Sequence, residues 1–176
     1  MAIDFFTVPT ATFRVLFVLV ILSHDRRRIL HFNATEHPTA AWTARQLLEV
    51  CGMDDVPRYL LRDRDAIYGN TFRGQVTGLG IEEVLTAPRS PWQNPYVERV
   101  IGSIRRECLD HTIVLGERHL RRIIRNYVNY YNNVRTHLSL VKDAPAPRPV
   151  QAPKLGRIVS RRYCGGLHHE YFRTAA

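Results

Sequence analysis

Three acidic residues that are far apart in the chain are candidates for binding metal ions together. Asp4 lies within an apolar segment, Asp63 follows directly on a second one, and Glu98 stands one turn into an amphipathic helix. A carboxylate inside an apolar strand costs several kcal/mol unless it is paired or binds a metal. Carboxylate oxygens are hard ligands that suit Mg²⁺ or Mn²⁺. Two such ions about 4 Å apart can activate a water or a 3′ hydroxyl and stabilise the leaving oxygen in phosphoryl transfer.

The elements that must position these acids are predicted by hydrophobic patterning. Runs rich in apolar, β-branched and aromatic residues predict five strands. They cover residues 2–8, 13–23, 29–35, 59–61 and 81–86. Short links between the first three predict an antiparallel meander. The fourth strand follows a helical pattern that starts at Thr39 and stops at Gly52, and a strand after such a crossover is expected to pair in parallel.

Asp63 would then lie at the C-terminal end of a parallel strand, where open α/β sheets bind their ligands. A short helix is predicted over residues 69–78, between the fourth and fifth strands.

The third acid stands on a helix with two distinct faces. Asn94 is a suitable N-cap, and Pro95 suits the first helical position. Apolar residues recur at helical spacing and predict a buried face, at Val97, Ile101, Ile104 and Cys108. Glu98, Gly102 and Arg105 share another face, which we expect to be exposed. Taken alone, Glu98 also fits a solvated helix whose acid merely favours the positive N-terminus, so its partners decide its role.

Composition points to nucleic acid as the first partner to consider. Among 176 residues, Lys and Arg (25) exceed Asp and Glu (16) by nine, and nearly all of the basic residues are Arg, which suits bidentate contact with phosphate. The three cysteines are widely spaced and support neither a disulfide framework nor a zinc site. The segment from Cys164 to His169 is interpreted as a glycine turn, because it lacks the paired spacing of metal ligands.

The N-terminus has no basic leader and the apolar run over residues 15–22 is too short to cross a membrane. We expect an intracellular chain without a membrane segment.

A second long helix and a distinct C-terminal segment follow. The helix has an apolar stripe from Leu120 to Tyr131 and arginines on the opposite side, which fits either a solvated basic face or DNA contact. Residues 143–153 include four prolines and are typical of a linker. We predict a core over residues 1–141 and a Pro-rich linker with a basic tail over residues 142–176. The tail is either an arm that follows phosphates or a solvated terminus.

The three acids, in their local sequences, resemble the Asp, Asp, Glu signature of the retroviral-type integrase catalytic core found in many bacterial insertion-sequence transposases. The local sequences are Asp-Phe-Phe-Thr, Arg-Asp-Arg-Asp-Ala-Ile-Tyr and Asn-Pro-Tyr-Val-Glu-Arg. Between Asp63 and Glu98 stand 34 residues, close to the spacing of the family. Residues 130–140 are similar to the Tyr-Asn-x-x-Arg-x-His-x-x-Leu segment common in those transposases. The resemblance covers about residues 2–150 and makes residues 1–141 the integrase catalytic core.

The resemblance implies a ribonuclease H-like α/β fold, with a five-stranded mixed sheet flanked by helices. The implied activity is that of a two-metal polynucleotidyl transferase. Water cleaves a DNA end, and a 3′ hydroxyl then attacks target DNA. Asp4, Asp63 and Glu98 would bind two Mg²⁺ or Mn²⁺ ions. The implied partners are DNA, as transposon end and target, and a second copy of the chain or a full-length transposase. The implied setting is the bacterial cytoplasm, in association with the nucleoid.

Further side chains are candidates for DNA contact. The loop over residues 88–94 corresponds to the mobile active-site loop of the family. Arginines near the acids, and those farther along the helix, are either backbone contacts or simple surface charge. The candidates are Arg64, Arg89, Gln93, Asn94, Arg99, Arg105 and Arg106. His137, in the later motif, either helps to hold a substrate phosphate or caps the last helical turn, and we favour the cap.

Two departures from the family pattern leave alternatives open. Asp65 stands where many members have Gly, so the second ligand is either Asp63, which gives the better spacing, or Asp65. The family usually carries a helix-turn-helix region before the core, whereas Met1 stands only three residues before Asp4. The alternatives are therefore a non-catalytic remnant that binds DNA or inhibits full-length transposase, and a nuclease on the same fold.

Overall fold

The computed structural model describes residues 1–52 and 56–175. Within these ranges, the main sheet consists of β1 (Ala2–Pro9), β2 (Val15–Leu22), β3 (Ile29–Thr35), β4 (Tyr59–Arg62) and β5 (Glu82–Leu85). The helices are α1 (Ala40–Leu48), α2 (Asn70–Gly78), α3 (Pro95–Glu107) and α4 (Glu117–Asn133). The predicted strands and helices are all present, with ends that shift by a few residues.

The sheet is mixed, and its strand order is β3-β2-β1-β4-β5. β1, β2 and β3 pair antiparallel, whereas β4 pairs in parallel with both β1 and β5. The predicted meander and the predicted parallel crossover are therefore confirmed. β1, the strand that carries Asp4, occupies the centre of the sheet.

The two faces of the sheet are covered by different helices. α3 and α4 pack on one face around a core that includes Phe6, Val97 and Ile124, and α1 and α2 pack on the other around Ile3 and Phe72. Because alternate residues of a strand point to opposite faces, Asp4 shares the α3 face with Phe6 and not the α1 face with Ile3. The alternation of β1 therefore directs its acid toward the helix that carries Glu98.

The C-terminal segment contains two strands that the sequence patterns do not predict. β6 (Arg157–Tyr163) and β7 (His168–Thr174) form an antiparallel hairpin. The His168 ring stacks on Tyr130 of α4 at a centroid distance of 4.4 Å, and its Nε2 lies 2.7 Å from the Glu107 carbonyl oxygen. Residues 157–174 are thus packed against the helical face. The predicted boundary at residue 141 stays a prediction.

In the described part of the chain, no helix is long and apolar enough to cross a membrane.

Candidate active site

A cleft of about 340 Å³ lies beside Asp4 of β1, the C-terminal end of β4 and the N-terminal part of α3. Four acids line this cleft, namely Asp4, Asp63, Asp65 and Glu98. Residues 86–90, which follow β5, form part of its wall. We call it the acidic cleft.

Strand register brings the first two acids side by side. In the parallel pair of β1 and β4, Ala2 lies opposite Leu61. Two residues further along each strand stand Asp4 and Asp63, so the two acids are neighbours on adjacent chain segments, about 5 Å apart across the sheet. The period of two also sends both side chains to the face covered by α3. A shift of register by one residue would send one acid to the opposite face.

The third acid reaches the same place from above the sheet. Pro95 is the first residue of α3, so Glu98 lies in its first turn, and its side chain is exposed to the cleft. The predicted apolar face of α3 is buried against the sheet through Val97, Ile101 and Ile104. Burial of this face fixes the rotation of the helix, which leaves Glu98 free to face the cleft.

The electrostatics of Asp4 follow from its position. Burial raises the pKa of Asp4 from 3.8 to about 7. The Phe5 N–H, which donates to Asp4 Oδ1 at 2.8 Å, opposes this rise in pKa, and the charges of Glu98, Asp63 and Asp65 add to it. The ionised carboxylate is therefore unfavourable here by itself, and a bound cation would reverse the balance.

The arginines next to Asp63 in the sequence do not neutralise the cluster. Arg62 is buried and forms an ion pair with Glu83, and Arg64 donates from Nε to the Thr86 carbonyl oxygen at 2.9 Å. Within residues 1–52 and 56–175, neither Asp4 nor Asp63 takes part in an ion pair. Ion pairs with these neighbours therefore do not neutralise Asp4 and Asp63.

The donor set fits a hard divalent cation. The acids offer only oxygen ligands, which Mg²⁺ and Mn²⁺ prefer. The Oδ1 atom of Asn94, which also lines the cleft, is buried and has no hydrogen-bond partner. Among the described residues, no three acidic, His or Cys side chains are already drawn together into a metal-binding group. Ligation by Asp4, Asp63 and Glu98 would therefore require their side chains to close around the ion.

Asn94 also differs from its predicted role. It occupies the N-cap position of α3, but its side chain makes no capping hydrogen bond. A capping Asn normally accepts from an amide of the first turn. Asn94 lines the acidic cleft, and its Oδ1 is buried without a hydrogen-bond partner among the described residues.

Tyr68 is a buried residue whose environment the sequence patterns miss. It packs with Phe72 in the core on the α1 and α2 face, and its hydroxyl is buried without a hydrogen-bond partner among the described residues. Burial, together with the charges of Asp4 and Asp63, raises the pKa of Tyr68 well above its usual value. The only sequence signal is its position five residues after Asp63, in a turn whose packing cannot be inferred locally.

The structure separates the predicted DNA-contact residues into groups. Arg64, Arg89 and Asn94 line the acidic cleft. Gln93 is exposed, and its Oε1 accepts the Ala87 N–H at 2.6 Å, so it braces the loop.

The remaining three lie farther along α3. Arg105 stacks on the Phe6 ring at 5.1 Å and donates to the Thr7 carbonyl oxygen at 3.1 Å, so part of its surface is used in packing. Arg99 and Arg106 line a different cleft.

The predicted cap at His137 is wrong. The His137 side chain makes no capping hydrogen bond, and its ring packs edge-on against Tyr131 at 4.9 Å. This contact is with the last turn of α4, but the ring Nδ1 faces Arg135 Nη1 at 3.3 Å and not a main-chain group of the helix.

Comparison with known proteins finds similar sequences over part of this chain. Residues 79–145 match the model of the integrase core domain family, a range that includes Glu98 but neither Asp4 nor Asp63. The chain is 25% identical over 146 residues to the insertion element IS476 uncharacterized 39.2 kDa protein of Xanthomonas euvesicatoria. That alignment covers 82% of this chain and 42% of the relative, so the chain spans less than half of that protein's length.

Solved structures show the same fold at low identity. A chain of the simian T-cell lymphotropic virus intasome in complex with PP2A regulatory subunit B56 gamma matches with a TM-score of 0.64 at 14% identity, over 90% of this chain and 59% of that one. The HTLV-2 integrase catalytic core domain in complex with magnesium, in its trimeric form, gives 0.62 at 14% identity, over 80% and 89%. The catalytic core domain of BIV integrase gives 0.55 at 15% identity, over 82% and 90%. The ribonuclease H-like fold and the resemblance to integrase cores are thereby confirmed.

Proposed function

From the premise that the chain carries an integrase core domain on a ribonuclease H-like fold, we propose that it performs metal-dependent DNA strand transfer with Asp4, Asp63 and Glu98 as catalytic residues. The observation that supports this most is the meeting of three acids from three separate elements in one cleft, where no ion pair to Asp4 or Asp63 is formed within residues 1–52 and 56–175. Such an arrangement is unfavourable for stability by itself, and functional sites are where such costs are found.

The proposed roles follow from position. Asp4, held by the Phe5 amide at the floor of the cleft, and Asp63, its neighbour across the sheet, form the rigid part of the ligand set. Glu98 completes it from the exposed side. Two Mg²⁺ or Mn²⁺ ions, when bound, would supply Lewis-acid activation of the attacking and leaving oxygens. Arg64 and Arg89, at the rim, would attract the phosphate backbone toward the cleft.

The geometry favours Asp63 over Asp65 as the second ligand. Asp63 is partly buried and shares the face of Asp4 through the strand register. Asp65 is exposed. Each acid accepts one backbone N–H in the turn after β4, Asp63 Oδ1 from Asp65 at 3.1 Å and Asp65 Oδ1 from Ile67 at 2.9 Å. Burial and strand register, and not the turn contacts, therefore favour Asp63.

Partners and setting belong to the same proposal. The chain would act on a transposon end and on target DNA, as a homo-oligomer or together with a longer transposase, in the bacterial cytoplasm at the nucleoid. The similar HTLV-2 core was solved in dimeric and trimeric forms, and the simian virus chain belongs to an intasome. The division into a core over residues 1–141 and a separate segment over residues 142–176 is likewise proposed.

One assay tests the reaction. The protein is incubated with a pre-cleaved DNA end, a target duplex and Mn²⁺, and joined and cleaved products are separated on a sequencing gel. Joined products support the transferase, and cleavage without joining supports a nuclease on the same fold. Absence of both products, in protein that is folded and binds DNA, supports a non-catalytic remnant.

Two matched variants test the ligand assignment in the same assay. Asp63→Asn is expected to abolish joining, because it removes a metal-ligating charge, whereas Asp65→Asn should leave measurable product. Loss of joining in Asp65→Asn with retention in Asp63→Asn would overturn the assignment.

A further inference from the structure

A second cleft, of about 250 Å³, lies on the neighbouring face of α3 and is strongly basic. We call it the arginine cleft. Its charged lining consists of Arg27, Arg99, Arg106 and Arg135 and a single acid, Glu107. These residues come from the turn before β3, from α3 and from the segment after α4. The fold, and not one local motif, therefore brings the four arginines together.

The single acid neutralises only one of the four arginines. Arg135 donates to both carboxylate oxygens of Glu107, from Nε at 2.8 Å and from Nη2 at 2.6 Å. Among the described residues, no ion pair involves Arg27, Arg99 or Arg106. Three guanidinium groups are thus left to attract an anion, and the planar guanidinium suits bidentate contact with phosphate.

His137 supplies an independent sign of a ligand. It lines the arginine cleft, is only 8% exposed, and its Nε2 is buried without a hydrogen-bond partner. Its Nδ1 lies 3.3 Å from Arg135 Nη1. An arginine can only donate, so Nδ1 must accept and the ring proton resides on Nε2. A buried N–H donor therefore stands unused at the wall of a basic cleft.

The surroundings keep this histidine neutral. Burial, together with the charges of Arg135 and Arg27, lowers the pKa of His137 to about 4. The ring therefore acts at neutral pH as a hydrogen-bond donor of fixed orientation and not as a further cation. The neutral imidazole N–H can donate to an anionic oxygen beside the guanidinium groups.

The arginine cleft and the acidic cleft are linked by α3. Arg99 and Arg106 are seven residues apart and occupy one stripe of the helix, while Glu98 occupies the adjacent stripe. Glu98 and Arg106 are separated by about 12 Å along the helix axis, at 1.5 Å per residue. A DNA strand that crosses α3 could therefore meet both clefts within a few nucleotides.

We propose that the arginine cleft binds a phosphate group of the DNA strand whose reacting phosphate lies in the acidic cleft, with Arg99, Arg106 and the His137 Nε2–H as its donors. The place of this phosphate relative to the reacting phosphate rests on the proposed function, whereas the binding of a phosphate in the arginine cleft does not. The phosphate is either an internal backbone group or a 5′-terminal one, and both present the same oxygens.

Binding is tested in EDTA, where no strand transfer occurs. Affinity for a fluorescent oligonucleotide is measured by anisotropy over a series of salt concentrations, for wild type, Arg99→Gln and Arg106→Gln. The matched control is Arg45→Gln, an exposed arginine on α1, across the sheet. Each α3 variant should weaken binding several-fold and reduce the salt slope by about 0.7 to 0.9, the contribution of one phosphate contact. Arg45→Gln should match wild type.

A second measurement reports on the cleft itself. The side-chain ¹⁵N–¹H resonance of His137 is followed by NMR during titration with a 5′-phosphorylated oligonucleotide and with its unphosphorylated form. A shift with both indicates a backbone phosphate, and a shift with the phosphorylated form alone indicates a terminal one. In His137→Phe, which keeps a ring against Tyr131 but lacks the N–H, affinity for the same DNA should fall several-fold.

The proposal is overturned if neither oligonucleotide moves the His137 resonance, or if the α3 variants keep the wild-type salt slope. Failure of the proposed function gives a different result. A chain that joins no DNA in Mn²⁺ but shows the His137 shift and the reduced slopes in EDTA would retain the phosphate site and lack the transferase activity.

Discussion

Replacement of Asp4 by Asn should stabilise the metal-free protein, although it removes a proposed catalytic residue. The pKa of Asp4 is raised from 3.8 to about 7, mainly by burial. Each pKa unit corresponds to about 1.4 kcal/mol, so ionised Asp4 lowers the free energy of unfolding by on the order of 4 kcal/mol. Asn keeps an oxygen that can accept the Phe5 N–H and carries no charge. Asp4→Asn should therefore raise the free energy of unfolding at pH 8 by up to about 4 kcal/mol.

The stability difference between Asp4→Asn and wild type should depend on pH. In the unfolded chain, the carboxyl group loses its proton near pH 3.8, whereas in the folded protein it does so near pH 7. Between these values the folded state binds more protons, so the stability of wild type falls relative to Asp4→Asn as the pH rises. The difference should be absent below about pH 4 and complete above about pH 7.

The assay is urea denaturation in EDTA at several pH values between 4 and 8, followed by far-UV circular dichroism. Asp110→Asn, at an exposed acid outside the cleft, is the control and should show no such gain. Addition of Mg²⁺ should stabilise wild type and leave Asp4→Asn nearly unchanged, because a ligand that binds only the folded state adds to its stability. The reasoning is refuted if Asp4→Asn is less stable than wild type at pH 8 in EDTA, or if its effect is the same at pH 4 and pH 8.

Further predictions concern other parts of the molecule. Glu107→Gln should lower the free energy of unfolding by about 1–3 kcal/mol near pH 7, because it breaks the paired contact with Arg135. This loss of stability should shrink as the pH falls below 4.5, since the pKa of Glu107 is lowered in the folded state. Denaturation at pH 7 and pH 3 checks both statements. Gly156→Ala should destabilise the hairpin by about 1–3 kcal/mol, because Gly156 has a φ of +109° and an added Cβ would overlap the Thr174 carbonyl oxygen. The measurement is amide exchange, which should become faster in β6 and β7. Tyr68→Phe should leave the free energy of unfolding unchanged or higher, because it removes a buried hydroxyl without a partner, and a loss above 1 kcal/mol would show that the hydroxyl is bonded in solution.

The sequence alone predicted most of the sheet and the elements that carry the acids. The apolar run over residues 15–22, the helical spacing of Val97, Ile101 and Ile104, and the strand that follows a helical crossover each report directly on burial or connection. These are local signals, because the period of apolar residues and the order of elements can be determined from consecutive residues of the chain. They were sufficient to predict the antiparallel meander of the first three strands and the parallel pairing of the fourth.

The hairpin over residues 157–174 shows where local signals fail. Its strands carry a high proportion of charged and polar residues, so alternation is weak, and the prolines before it suggest a linker. The hairpin is held by contacts with α3 and α4, such as the stacking of His168 on Tyr130. Contacts between segments far apart in the chain leave no periodic trace in either segment.

What the sequence determined, then, is which acids stand on which elements, because residue type, spacing and hydrophobic period are properties of the chain itself. Only the tertiary structure decided that Asp4 and Asp63 are neighbours through the Ala2–Leu61 register, and that burial raises the pKa of Asp4. It also decided that the arginines of α3 divide between packing, for Arg105, and the arginine cleft, for Arg99 and Arg106. Long charged side chains take their partners from whatever segment the fold brings near, and desolvation depends on the whole surrounding core.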